Sequence, residues 1–108
     1  MRCSIAFVVT GLAVLASASP AAAQEQGDAL AGADLAKSWC SECHVVDRGP
    51  ARSSARGPTF VAVANATATT SMSLHAFLAM PHPRMPNLKL TQAQIDDVVA
   101  YILTLRQH

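Results

Sequence analysis

The clearest pattern of apolar and polar positions lies near the end of the chain, where Ile95, Val98, Val99, Ile102 and Leu105 recur at helical spacing and form one stripe. Thr91 and Gln94 stand ahead of it as a capping box, so a last helix is expected to begin there. The run from Asp28 to Cys43 has no proline and much alanine. Its Leu30, Ala31, Leu35 and Trp39 fall near helical spacing, which predicts a first helix that ends by delivering Cys40, Cys43 and His44. Between these two, residues 59–66 suit a short helix. Leu74, Phe77 and Leu78 recur at i, i+3 and i+4 in another, capped by Thr70 or Ser71 and stopped by Pro81. No paired strands, internal repeats or low-complexity tracts interrupt this order, and the fold class read from it is all-α. Residues 47–58 are rich in Gly, Pro, Ser and Arg without an apolar period and read as a surface loop. Pro81, Pro83 and Pro86 should stiffen an extended segment around Met85.

The start of the chain has a different pattern. Arg2 precedes the apolar stretch from Ile5 to Leu15, and small residues follow as far as Ala21, Ala22 and Ala23. These are the three zones of a secretory signal peptide, and the expected cut is after Ala23, with a cut after Ala18 as a lesser variant. A stretch from Ile5 to Leu15 is too short for a bilayer, which needs roughly 20 apolar residues, so no transmembrane segment is expected after cleavage. Residues 1–23 are therefore read as leader and 24–108 as one domain, exported to an oxidising compartment. The whole chain has 108 residues, 51% of them apolar, enough for one small core. A net charge of +1 without a long Lys/Arg run argues against nucleic acid as a partner.

Cys3 falls within the leader, which leaves Cys40 and Cys43. A disulfide across two intervening residues would close a tiny loop and stabilise little, so these cysteines need another use. Cys40-Ser41-Glu42-Cys43-His44 is the Cys-x-x-Cys-His pattern of c-type haem attachment. At the end of a helix, positions i and i+3 point to one side, so both thiols can reach the two vinyl groups of one porphyrin edge while His44 comes beneath the iron. A zinc half-site would want a second Cys/His pair at ligand spacing, and a thioredoxin-type pair would want a βαβ context. The sequence offers neither.

With these residues the chain resembles the class I c-type cytochromes, in particular the short single-domain bacterial ones, over nearly all of residues 27–108. Gly57-Pro58, Met85-Pro86 and the closing run Asp97 to Leu103 add to the likeness. The resemblance implies a fold in which the first and last helices cross and the middle helices and loops wrap one covalent haem c. It also implies that the Pro58 carbonyl accepts the Nδ1 proton of His44, which fixes the tautomer and turns Nε2 toward the iron. Gly32 and Tyr101 match the family's helix-crossing positions. The family's aromatic residue four positions before the first cysteine is Ala36 here, with Trp39 on an adjacent face as a replacement.

The residues alone leave several candidates for the sixth iron ligand: Met72, Met80, Met85, His75, His82 and His108. Met72 and Met80 flank a helix and suit packing, and His75 reads as a solvated helix position. Met85, bracketed by prolines, also matches the family pattern and is the expected ligand, with His82 as its rival. Imidazole plus thioether favours ferrous iron and leaves no open coordination site, which suits one-electron transfer between redox proteins rather than catalysis. A haem subunit of an exported dehydrogenase, and a haem sensor or peroxidase with a labile distal ligand, are the alternatives. Residues 44–90 carry Arg48, Arg52, Arg56, Arg84 and Lys89 against Asp47, a net +4, while the flanking segments from residue 24 onward total −4. That polarity suggests a basic side that meets an acidic docking surface, or else simple compensation of haem propionates; a monomer is expected.

Overall fold

The computed structural model describes residues 27–108; the expected leader and its cut after Ala23 lie outside the described residues. Four helices follow in order: α1 (Ala29–Trp39), α2 (Phe60–Asn65), α3 (Ser71–Ala79) and α4 (Gln92–Thr104). Among the described residues there is no strand, only an isolated antiparallel bridge between His82 and Met85. The all-α expectation holds.

Each helix starts at a residue that can cap it. Asp28 accepts from the amides of Leu30 and Ala31 at 2.8 and 3.2 Å. Thr59 accepts from Ala62, and Thr70 and Thr91 form reciprocal capping boxes with Ser73 and Gln94. At the other end α1 stops earlier than expected, with Cys40 as its cap rather than a residue inside it. The reason is local. The Ser41 hydroxyl donates to the Lys37 carbonyl at 2.5 Å, and the amides of Cys43 and His44 both turn back to the Cys40 carbonyl at 3.2 and 2.9 Å. The chain tightens into a turn that keeps the i, i+3 relation of the two cysteines.

α4 is the hub, packing against α1 most extensively and also against α2 and α3. Its expected stripe, Ile95, Val98, Val99, Ile102 and Leu105, is buried, and Ala36, Val46, Phe60, Ala64 and Leu74 complete the core. A Cβ built at Gly32 would overlap the Asp97 carbonyl and press on the Tyr101 side chain, so the α1–α4 crossing requires a residue without one. Asp97 seals the same crossing by accepting from the Asp28 amide at 2.7 Å.

Four expectations need correction. Trp39 remains 44% exposed while Ala36 is fully buried, so Trp39 does not fill the place of the family's aromatic residue. Met72 and Met80 do not pack: they are 82% and 61% exposed, because α3 meets α4 through the face carrying Leu74 and His75. His75 is not simply solvated. Its Nε2 lies 2.8 Å from Asp96 Oδ1 and its Nδ1 2.8 Å from the Ser71 carbonyl, which ties α3 to α4. The proline segment is not simply extended either; its middle folds into a turn, closed by the Met85 amide donating to the His82 carbonyl at 3.3 Å.

Candidate functional site

The Cys40–His44 turn lies between α1 and the loop that follows, and that loop grips it. The amides of Arg56 and Gly57 donate to the Cys43 carbonyl at 3.0 and 2.9 Å, and the Phe60 amide donates to the Val45 carbonyl at 2.9 Å. From the far side, the Tyr101 hydroxyl donates to the Val46 carbonyl at 2.7 Å, joining α4 to the chain just after the motif. Burial pushes the Tyr101 phenol above its ordinary range, as does the nearby Asp47 carboxylate, so it remains a donor.

His44 is held on three sides. Its Nδ1 lies 2.7 Å from the Pro58 carbonyl, a contact that only a protonated Nδ1 can make into a hydrogen bond. In the neutral ring Nε2 then carries the lone pair, and among the described residues it has no hydrogen-bond partner. The Phe60 ring packs against the imidazole, with centroids 5.4 Å apart and the planes tilted by 53°. Gly57 supplies the remaining wall: a Cβ there would run into the imidazole. Loop and ring approach too closely for any side chain.

Cys40 and Cys43 are both half-buried free thiols. Burial pushes the Cys40 thiol above its usual range, which keeps it protonated rather than a reactive thiolate. Two unpaired thiols three positions apart, beside an imidazole with a free Nε2, make a donor set that fits a covalently attached haem.

The structure thus brings Cys40, Cys43, His44 and Pro58 together. Met85 stands in a separate turn, half-buried, and no hydrogen bond joins it to that group. His82 is stacked on Phe77, with ring centroids 3.6 Å apart and the planes inclined by 25°. Sequence reasoning missed the work of two arginines. Arg48 donates to the Thr104 carbonyl at 2.9 Å, and Arg52 donates through one nitrogen to the carbonyls of Ser41 and His44 at 2.7 and 3.1 Å. Both read in sequence as loop charge, available for docking or for compensating haem propionates. Their position after the motif signals that they lie nearby, but only the fold reveals which carbonyls they meet.

The family model for cytochrome c matches residues 29–106 of the chain. Cytochrome c-552 of Bradyrhizobium diazoefficiens is 46% identical over 93 residues, covering 86% of this chain and 89% of that protein. No solved structure matches. The match takes in all four helices and the whole Cys40–His44 turn, and with it comes the family's cofactor, covalently bound haem c with its iron. This chain belongs to the cytochrome c family.

Proposed function

We propose that the chain is a periplasmic monohaem cytochrome c that carries single electrons between redox proteins, with Cys40 and Cys43 as attachment points and His44 and Met85 as axial ligands. The hydrogen bond from His44 Nδ1 to the Pro58 carbonyl carries the reading, because it leaves Nε2 as the coordinating atom and makes it more basic. Met85 lies in a turn bracketed by Pro83 and Pro86, where restricted backbone freedom lowers the entropy lost in holding a thioether in place. The rival, His82, is stacked on Phe77. When bound, the haem iron supplies the one-electron couple. With both axial positions taken by side chains, the protein's task is to hold them rigidly through the change of charge.

Two features support export and a soluble carrier. The leader pattern of residues 1–23 suits secretion with cleavage after Ala23, and among the described residues no helix is long and apolar enough to cross a membrane. The carrier is expected to be a monomer. Arg56, Arg84 and Lys89, all exposed, supply charge for an acidic partner surface; substituting Arg48 or Arg52 would also break backbone contacts.

Exposing the reduced holoprotein to carbon monoxide tests the reading. A carrier with both positions filled leaves its spectrum unchanged, whereas a shifted Soret band would mean a labile distal ligand and a sensor or peroxidase. Size exclusion of a native periplasmic extract adds the second arm: a carrier elutes alone, while co-elution with a large protein would point to a dehydrogenase subunit.

A further inference from the structure

We infer that Arg52 is a positioning residue of the haem site, fixing the Cys40–His44 turn and biasing the iron toward its ferrous state. This rests on the reading of His44 as an axial ligand. Within the turn, the carbonyls of Cys40 and Cys43 are satisfied by backbone amides, at 2.9–3.2 Å and 2.9–3.0 Å. Those of Ser41 and His44 are not. Each accepts instead from the same Arg52 nitrogen, Nη2, at 2.7 and 3.1 Å, so one guanidinium bridges the two carbonyls on either side of Cys43. No other donor among the described residues reaches either oxygen.

Two consequences follow from this placement. The guanidinium ties the backbone of the ligand residue to that of the segment before it, so His44 is held at its carbonyl by Arg52 as well as at its ring by Pro58. Arginine also cannot lose its proton under ordinary conditions, so a full positive charge is fixed one residue's backbone away from the axial imidazole. Ferric haem carries one more positive charge than ferrous haem. A cation fixed nearby therefore disfavours the ferric form and raises the reduction potential, with the effect falling off through the intervening medium. Arg52, exposed like Arg56, Arg84 and Lys89, differs from them in donating to the backbone of the Cys40–His44 turn.

The experiment compares holoprotein of the wild type with Arg52→Met and Arg52→Lys by spectroelectrochemistry. At a fixed electrode potential, Arg52→Met should lower the ferrous-to-ferric ratio about two- to fivefold, on a scale where tenfold is about 59 mV for one electron. Because a single nitrogen makes both contacts, a lysine ammonium can replace it, and Arg52→Lys should recover at least half of the change. A wild-type ratio in Arg52→Met would overturn the inference, and so would a ratio in Arg52→Lys as low as that in Arg52→Met. Failure of the underlying reading looks different: the wild-type chain, matured in a haem-attaching host, would carry no covalent haem on a denaturing gel.

Discussion

Around Cys40, Cys43 and His44 the backbone is gripped from several directions: loop amides hold the Cys43 carbonyl, Arg52 the Ser41 and His44 carbonyls, and Tyr101 the Val46 carbonyl. Around Met85 the chain has two local turn hydrogen bonds, from the Met85 amide to the His82 carbonyl at 3.3 Å and from the Lys89 amide to Asn87 Oδ1 at 3.2 Å, with three prolines and Lys89 in the left-handed region at a φ of 48°. One region is defined by polar contacts that converge on it from distant parts of the sequence, the other by residues that restrict their own backbone. A strong ligand at the end of a folded helix can be placed by the fold. A weakly binding thioether on a loop gains from a backbone with few alternatives, because little entropy is then lost when it is held.

The two kinds of restraint should fail differently, and the largest effect is expected where covalent attachment is removed. On the proposed cleavage after Ala23, 85 residues remain, and among the described ones Phe60 is the one buried aromatic side chain of the core. A core of this kind rarely stabilises a domain alone. Cys40→Ala with Cys43→Ala should therefore give a largely unstructured, haem-free chain by far-ultraviolet circular dichroism. Native-like helicity in that double variant would mean that the polar grip on the His44 turn suffices without the porphyrin.

The next effect separates the Met85 region from the helix before it. On the proposed assignment of Met85 as the axial thioether, Met85→Ala should lower the reduction potential and allow carbon monoxide to bind the ferrous protein, since the soft ligand that favours ferrous iron would be gone. Met80→Leu is the control. The exchange conserves volume, so it should cost less than about 1.5 kcal/mol and leave the sulfur-to-iron charge-transfer band in place. Loss of that band in Met80→Leu, with its survival in Met85→Ala, would reverse the assignment.

A smaller and purely steric effect tests the grip on His44. Gly57→Ala places a methyl group against the imidazole, and overpacking of this kind typically costs about 1–3 kcal/mol. The strain falls on the ring's contact with Pro58, so thermal denaturation of the holoprotein should show the loss together with a shifted haem spectrum. Unchanged stability and spectrum would mean that the loop yields easily and is less fixed than its hydrogen bonds imply.

The same contrast explains what the sequence alone could disclose. The α4 stripe and the Thr91–Gln94 capping box were legible because they depend on spacing within a few residues, whereas the Thr70–Ser73 box was not singled out, Thr70 and Ser71 both standing as candidate caps. The attachment motif was legible for the same reason. The partners of Arg48, Arg52 and His75 were not, because a side chain that donates across 8 to 56 positions of chain leaves no periodic trace. His75 and Met72 show the problem most clearly: both sit on the short helix α3, whose apolar residues do not define one buried face, so spacing assigned the wrong one to solvent.

His75 and Asp96 also provide the mildest test, since they anchor α3, the helix that leads into the Met85 segment, to α4. The imidazole faces the Ser71 carbonyl at Nδ1, with the Ser71 hydroxyl also 3.4 Å away, and the Asp96 carboxylate at Nε2. Hydrogen bonds from Gln92 and then from His75, with the attraction of the charged ring, hold the Asp96 carboxyl below its ordinary range. A carboxylate whose folded value lies below the unfolded one, about 3.9, contributes stability that is fully present above that value. The contribution is lost as pH falls through the depressed folded value. Asp96→Asn removes it at every pH, so the stability difference between wild type and variant should be greatest near pH 5 and shrink toward pH 2, when both holoproteins are unfolded by denaturant in parallel. Effects of acid on the axial ligands are common to both chains and cancel in that difference. A gap that stays constant over this range would show that the α3–α4 anchor owes nothing to the charge on Asp96, leaving the Met85 side of the molecule held by packing and prolines alone.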